Sequence, residues 1–352
     1  MHIKDISHFI ILFILLSSCS KSSPKISVGC EENLVGNNII KWEVIPKING
    51  TVKVYASNNP YDFKKDEPIG VADVNDQRIL IINNEPSVRK YYKIVFGKDM
   101  EALITSRNIN INNVENFRDL GGYRIMSTNR GSKWGQIFRS GDLHRINSCG
   151  VSRLQGLGVK TIVNLNPSVE RNELINSTFN YINIPIYAKD SDKIFYNVYN
   201  NKYSREDVNN LLQDVYRHLV ADYKQEYKQI FGLLLDEKNY PIVFECATGK
   251  EQTGIVSFLI LTSLGVDVQT ARLDYLRTNQ FIDMSEASKY ASNLPTSAQE
   301  ALTALLLAQE GYINAAINEM KTNYGSIEGY LKEGIGLSQN DIDKLRMMLL
   351  ED

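Results

Sequence analysis

The sequence is short of the residues that hold metals and build disulfide frameworks. Its 352 residues include four cysteines and four histidines. No Cys-x-x-Cys pair occurs and the histidines stand far apart, so no metal site is indicated and no cofactor is expected. An excess of charge is lacking too: 39 lysines and arginines against 41 aspartates and glutamates leave a net charge of -2. The basic residues form no stripe, which argues against nucleic acid as a partner. Long hydrophobic runs are absent apart from Phe9 to Leu16, which is too short to span a bilayer, where a helix needs about 20 apolar residues. There is no internal repeat and no low-complexity tract. What remains is a globular composition, 43% hydrophobic and 23% charged, with length for two or three ordinary domains.

The apolar run has a position that explains it. Lys4 precedes it and Ser17-Ser18-Cys19 follows, the order of a secretory leader. Leu16-Ser17-Ser18-Cys19 resembles a bacterial lipobox, which implies cleavage before Cys19, lipidation of its thiol and anchorage to the cell envelope, on the periplasmic side or the outer surface. An ordinary signal peptide with an incidental cysteine is the alternative. Residues 1–19 are read as a lipoprotein signal peptide and 20–36 as a linker. With Cys19 used, three cysteines are left, Cys30, Cys149 and Cys246, so at least one thiol stays free. A Cys30–Cys149 bridge is open but nothing in the pattern supports it.

From 37 to 108 the pattern is strands. Ile39 to Val44 and Thr51 to Tyr55 alternate, with Asn49-Gly50 as the turn between them; Ile79 to Ile82 and Tyr91 to Phe96 continue it, and Gly97-Lys98-Asp99 is a further turn. A small β-sandwich is expected, similar to a fibronectin type III core in its Trp42 and Tyr91-Tyr92. Its plainest role is a spacer that lifts the next domain off the membrane. From 109 to 352 strands alternate with helical stretches, which predicts α/β. Thr161 to Val163 and Ile182 to Ile184 read as core strands. Ser204 to Asp207 resembles a capping box with an apolar face behind it, a further helical region is expected over about Ala301 to Met320, and Ser338 opens a last helix.

The densest chemistry lies in Glu245-Cys246-Ala247-Thr248-Gly249-Lys250-Glu251-Gln252-Thr253-Gly254. The apolar run Pro241 to Phe244 leads in as a short buried strand, and Ile255 to Leu264 leads out as an apolar helix. A small-residue loop between strand and helix start collects backbone N–H groups, and the positive end of the helix dipole adds to them, so the spot suits an anion. A cysteine at its head would be held partly as thiolate, the form that attacks phosphorus. A buried structural cysteine is the plainer alternative.

This stretch resembles the cysteine-dependent tyrosine-phosphatase family, in the bacterial branch whose loop reads His-Cys-x-x-Gly-Lys-Asp-Arg-Thr-Gly. Cys246, Gly249, Lys250, Thr253 and Gly254 match. Glu245, Glu251 and Gln252 stand in place of the histidine, the aspartate and the arginine. Asn116-Phe117-Arg118-Asp119-Leu120-Gly121-Gly122-Tyr123 is a second match, and Trp134-Gly135, Phe138 to Gly141, Asp274-Tyr275-Leu276 and Tyr324 to Ser338 follow in the family's order. The resemblance implies a tyrosine-phosphatase-like central sheet flanked by helices, with a helical lid insertion near Lys189 to Glu237. It implies Cys246 as nucleophile, Glu251 as general acid and Lys250 as a cation facing the pocket. Ala247, Thr248, Gly249, Gln252 and Thr253 become phosphate-binding, with Arg118 as the best surrogate for the missing guanidinium.

Other readings stand beside these. Arg139, Arg272 and Arg277 are further surrogates, Asp190 and Asp192 further acids, and His144 and His218 bases for a Cys–His scheme. Asn164-Leu165-Asn166 stands where the family has Asp-Leu-Arg, with Glu170 downstream. Glutamine cannot make arginine's forked contact with phosphate, and a missing arginine of this kind costs on the order of 10³ to 10⁵ in rate by analogy with other phosphoryl transfer. Three functions are therefore carried forward. The first is weak phosphomonoester hydrolysis through Cys246. The second is a pseudophosphatase holding a phosphorylated protein or small phosphoester. The third is a membrane-tethered interaction protein with a relic pocket.

Overall fold

A computed structural model describes residues 24–351, apart from 34, 65–66, 86–87, 98–99, 129, 168–171, 189–190, 286–288 and 290. Cys19, Glu170 and Asp190 lie outside the described residues, as does the side chain of Asp192.

The N-terminal region is two antiparallel sheets around one core. Strands β1 (Lys25–Glu32), β2 (Asn38–Ile45) and β5 (Arg78–Ile81) form one, in the order β1-β2-β5. The other has the order β4-β3-β6-β7, from β3 (Thr51–Ser57), β4 (Gly70–Asp73), β6 (Tyr91–Phe96) and β7 (Met100–Ile104). Successive side chains of a strand face opposite ways, so Ile40, Trp42 and Val44 turn inward from β2 to meet Val52, Val54, Tyr92, Ile94 and Phe96 from the second sheet. The Trp42 indole N–H donates to the Val74 carbonyl at 2.7 Å.

The linker expected over 20–36 is overturned from Lys25 onward. β1 pairs with β2 along its whole length, from Lys25 opposite Ile45 to Glu32 opposite Asn38. The alternation of Ile26, Val28 and Cys30, packed against the core, is the signal that identifies it. The N-terminal region also touches the next one through side chains. Arg89 and Glu32 of this region form buried ion pairs with Asp119 and Arg153 beyond it.

The second region is a five-stranded sheet between helical layers. It comprises β8 (Arg118–Asp119), β11 (Ile137–Ser140), β12 (Thr161–Asn164), β13 (Asn180–Asn183) and β14 (Ile242–Glu245), in the order β13-β12-β14-β11-β8. The pairs β13–β12, β12–β14 and β14–β11 are parallel, and β8 runs antiparallel at the edge. A separate hairpin joins β9 (Arg124–Ile125) to β10 (Arg130–Gly131). Parallel strands buried on both faces read as continuous apolar runs. Ile137, Val163 and Phe244 face one core, and Phe138, Ile162 and Val243 face the other. The second core is closed by α1 (Ser148–Gly156) and α2 (Glu173–Thr178).

The first core takes most of the helices. They are α3 (Ser191–Tyr199), α4 (Arg205–Asp222), α5 (Lys224–Leu234), α6 (Gln252–Ser263), α7 (Val268–Leu276), α8 (Thr296–Leu306), α9 (Glu310–Tyr324) and α10 (Gln339–Leu349). Capping boxes start α4 at Ser204 and α10 at Ser338. The helical region expected over Ala301 to Met320 comprises α8 and α9, with a break at 307–309. The lid expected near Lys189 to Glu237 also shrinks. Val208, Leu212, Tyr216 and Leu219 of α4, with Tyr227, Ile230 and Phe231 of α5, are buried in the main core. Of these three helices, among the described residues, α3 is the one that turns large apolar side chains outward, at Phe195, Tyr196 and Tyr199.

Candidate active site

The middle of the parallel sheet ends where chemistry can sit. β14 is buried along its length and ends at Glu245, α6 starts at Gln252, and Cys246 to Glu251 make the turn between them. Gly249 permits that turn. Its φ is +67°, and a Cβ there would lie 2.5 Å from the Ser140 carbonyl oxygen and 2.8 Å from the Gly141 nitrogen, so no other residue fits without displacement.

The loop is held from beneath. Asn116 Nδ2 donates to the Thr248 and Gly249 carbonyls at 3.1 and 3.0 Å, and Arg139 Nη2 donates to the Gly249 carbonyl at 2.6 Å. Arg139 Nη1 lies 2.7 Å and Arg118 Nη2 3.4 Å from Asp274 Oδ2, and the Tyr123 hydroxyl donates to Asp274 Oδ1 at 2.6 Å. Arg118 also donates to Asn116 Oδ1, which closes the circuit. Burial works against the Asp274 charge, but Arg118 and Arg139 hold its carboxyl well below the usual range. Burial and the Arg139 charge push the Arg118 guanidinium down to about 9, against the pull of Asp274.

On the upper side, the N–H groups of Thr248, Lys250, Glu251 and Gln252 form no hydrogen bond among the described residues. They are the open donors expected where a helix begins. The Ala247 N–H is taken, donating to Asn166 Oδ1 at 2.9 Å. Cys246 is buried, and burial pushes its thiol up; the Glu251 charge adds to that, while the Thr253 hydroxyl and N–H and the Gly249 N–H favour the anion.

The charged and polar side chains expected at the pocket are spent elsewhere. Lys250, 3% exposed, donates Nζ to the Leu305 and Leu306 carbonyls at 2.6 and 3.2 Å, capping the C-terminal end of α8, where a cation is favoured. Its Nζ also lies 2.9 Å from Glu251 Oε1, and Thr248 Oγ1 donates to Glu251 Oε2 at 3.3 Å, so both oxygens of the expected general acid are engaged. Gln252 Nε2 donates to the Ile186 carbonyl at 3.1 Å; the side chain ties down the segment after β13, and only its N–H remains for the cradle. Arg118 has no exposed surface and belongs to the support, not to the phosphate site.

The remaining candidates fall away from the sulfur. Arg139 is support, Arg272 pairs with Gln269, Asn314 and Glu310, and Arg277 is exposed. His218 lies on α4 beside Asp222. His144 is paired with Asp142 and accepts from Arg145 Nε at 3.1 Å. It lines a polar cavity of about 140 Å³ with Asp142, Asn164, Asn166, Tyr181, Glu245 and Ala247 of the loop.

Sequence reasoning missed three residues here. Asn116 and Asp274 lie inside the matched motifs, but their role as brackets shows only in space. Glu245 is the third. Burial pushes its carboxyl up to about 7, against the Leu143 N–H and the Tyr181 hydroxyl that favour its charge.

The chain is similar in sequence to known phosphatases. The chain is 24% identical over 273 residues to the triple specificity protein phosphatase PtpB of Mycobacterium tuberculosis, covering 67% of this chain and 96% of that protein. It is 22% identical over 225 residues to a tyrosine-protein phosphatase of Nostoc commune, covering 60% and 73%. P. aeruginosa TpbA, solved in complex with phosphotyrosine, is 17% identical over 51% of this chain and 92% of its own, with a TM-score of 0.25, too low to carry an argument. The model of the tyrosine phosphatase family matches residues 109–351. The chain belongs to the tyrosine phosphatase family.

Proposed function

We propose that this chain is a pseudophosphatase: it holds a phosphorylated protein or a small phosphoester at the 246–253 loop without the family's turnover. The observation that carries this reading is the direction of Gln252. Its amide is bound to the Ile186 carbonyl, and the buried Arg118 and Arg139 are spent on Asn116, Asp274 and the Gly249 carbonyl, while four loop N–H groups stay open. Open donors at a helix start bind an anion without a charged side chain; stabilising a transferring phosphoryl group needs more. Calorimetric titration with orthovanadate, alongside an aryl phosphate turnover assay, tests this. Binding without turnover is expected; no binding at all sinks the reading and leaves a relic pocket.

A second reading, slow hydrolysis through a Cys246 thiolate, is favoured by the Thr253 and Gly249 groups that face the sulfur. Aryl phosphate turnover abolished by Cys246→Ser would establish it.

We further propose that the protein is tethered to the bacterial cell envelope through a lipidated Cys19. The support is the leader and Leu16-Ser17-Ser18-Cys19, and the mass of the mature N-terminus tests it. The N-terminal sheets are proposed as fibronectin type III-like, supported by their strand orders and by Trp42 in their core.

A further inference from the structure

Two buried ion pairs join the N-terminal sheets to the family domain, and one ends on the motif that backs the loop. Arg89 lies between β5 and β6 and is 7% exposed. Its Nη1 is 2.6 Å from Asp119 Oδ2, its Nε donates to Thr105 Oγ1 at 3.3 Å, and its Nη2 donates to the Ser106 carbonyl at 3.1 Å. The guanidinium lies 5.1, 5.8 and 5.6 Å from the ring centroids of Tyr91, Trp134 and Phe138. Burial opposes its charge, and Asp119, together with Tyr91 and Glu32, more than offsets that. The other pair, Glu32 with Arg153 at 2.9 Å, joins β1 to α1, both outside the Asn116–Tyr123 motif.

Asp119 spends every oxygen on geometry. Oδ1 accepts from the Gly121 N–H at 2.7 Å, and Oδ2 accepts from the Gly135 N–H at 2.7 Å beside Arg89. Its neighbour Arg118 bonds Asn116, which carries the Thr248 and Gly249 carbonyls. Tyr123, on the far side of the two glycines, bonds Asp274, the anchor of Arg139 under Gly249. The Asp119 carboxylate therefore holds the middle of the segment whose two ends bracket the loop, and the only side-chain cation on that carboxylate among the described residues comes from the N-terminal region.

We propose that Arg89 is a positioning residue for the 246–253 loop, so that the N-terminal sheets complete the anion site of the second domain. A spacer has no use for a guanidinium taken out of water, which is costly unless its partner is fixed and fully bonded. Here the partner is fixed by two backbone N–H groups, and it adjoins Arg118 in the segment that supports the loop. The affinity part of the test rests on the anion-binding reading above; the exchange part does not.

The experiment uses the whole chain and four variants: Arg89→Met, Arg89→Met with Asp119→Asn, Arg89→Lys, and Arg153→Met. The double variant leaves no orphaned charge and so decides the matter if Arg89→Met does not fold. Amide hydrogen exchange across 246–254 and orthovanadate affinity are measured in each. Arg89→Met and the double variant are expected to speed exchange in the loop by about tenfold and to weaken orthovanadate binding to a similar extent, with Arg89→Lys recovering part of both. Arg153→Met, which opens the same interface elsewhere, is expected to leave both within about twofold. Wild-type loop exchange in a folded double variant overturns the proposal. So does an equal response to Arg153→Met, because the effect is then general loosening. If the wild type binds no orthovanadate, the anion-binding reading fails and the exchange comparison still decides the role of Arg89.

Discussion

The two sides of the 246–251 loop are built differently. Beneath it, Asn116, Arg118, Arg139 and Asp274 form a closed circuit in which each is bonded to another or to the loop. Above it the backbone donors are open, but Lys250, Glu251 and Gln252 turn away to a helix end, to each other and to a neighbouring carbonyl. The difference teaches that a loop can keep its shape without keeping its chemistry, because shape depends on what lies under the carbonyls and catalysis on what lies over the sulfur.

The strongest way to break the comparison is from below. Asp274→Ala leaves Arg118 and Arg139 as buried, unpaired cations, which costs about 3–5 kcal/mol when one partner of a buried pair is removed. Chemical denaturation should show a loss of that order, and orthovanadate binding should disappear with it. A loss under about 1 kcal/mol would show that the circuit is less important to the fold than its burial implies.

The next effect is in the pH dependence of stability. The Glu245 carboxyl, ordinarily 4.5, is raised to about 7 in the fold. Between those values the folded protein holds a proton that the unfolded chain has lost, so stability falls as pH rises through the interval and the loss is complete above about 7. At about 1.4 kcal/mol per unit the total is on the order of 3 kcal/mol. Glu245→Gln should flatten that slope and bring its largest relative gain above pH 7. An unchanged slope in urea melts at pH 5 and pH 8 means that Glu245 does not titrate there.

Adding charge from above tests the same contrast by restoration. Gln252→Arg gives up the bond to Ile186, worth about 1 kcal/mol, and returns a guanidinium to the loop. Aryl phosphate turnover should rise at least tenfold, about 1.4 kcal/mol of barrier. No gain in a folded variant means that the upper side has diverged beyond one residue.

Sequence pattern went further with the sheet than with the site. β12 and β14 are legible because buried parallel strands need runs such as Thr161 to Val163 and Ile242 to Phe244. The starts of α4 and α10 are legible because a capping box is a local device. β1 is harder, since its inward residues are only Ile26, Val28 and Cys30 and Gly29 weakens the pattern. At the site, sequence supplies the loop, but not where long side chains go. Lys250 reaches across to α8, Gln252 to the chain after β13, and Arg118 inward to Asp274. All three destinations are distant in sequence, and a side chain with several rotatable bonds has no local rule to choose among them.

The smallest effect concerns the loop donor that a side chain caps. Asn166 Oδ1 sits 2.9 Å from the Ala247 N–H, so an arriving anion that uses this group must displace a carboxamide. The bond is neutral, worth about 0.5–1.5 kcal/mol net, whereas an N–H given to an anion makes a stronger, charge-assisted one. Asn166→Ala should therefore raise orthovanadate affinity by about two- to tenfold at a stability cost of about 1 kcal/mol, while leaving turnover where it was, because no cation is added. Weaker binding in this variant would place Asn166 in a different role, as a prop that holds the Ala247 peptide in its binding orientation rather than as a cap that competes with the ligand.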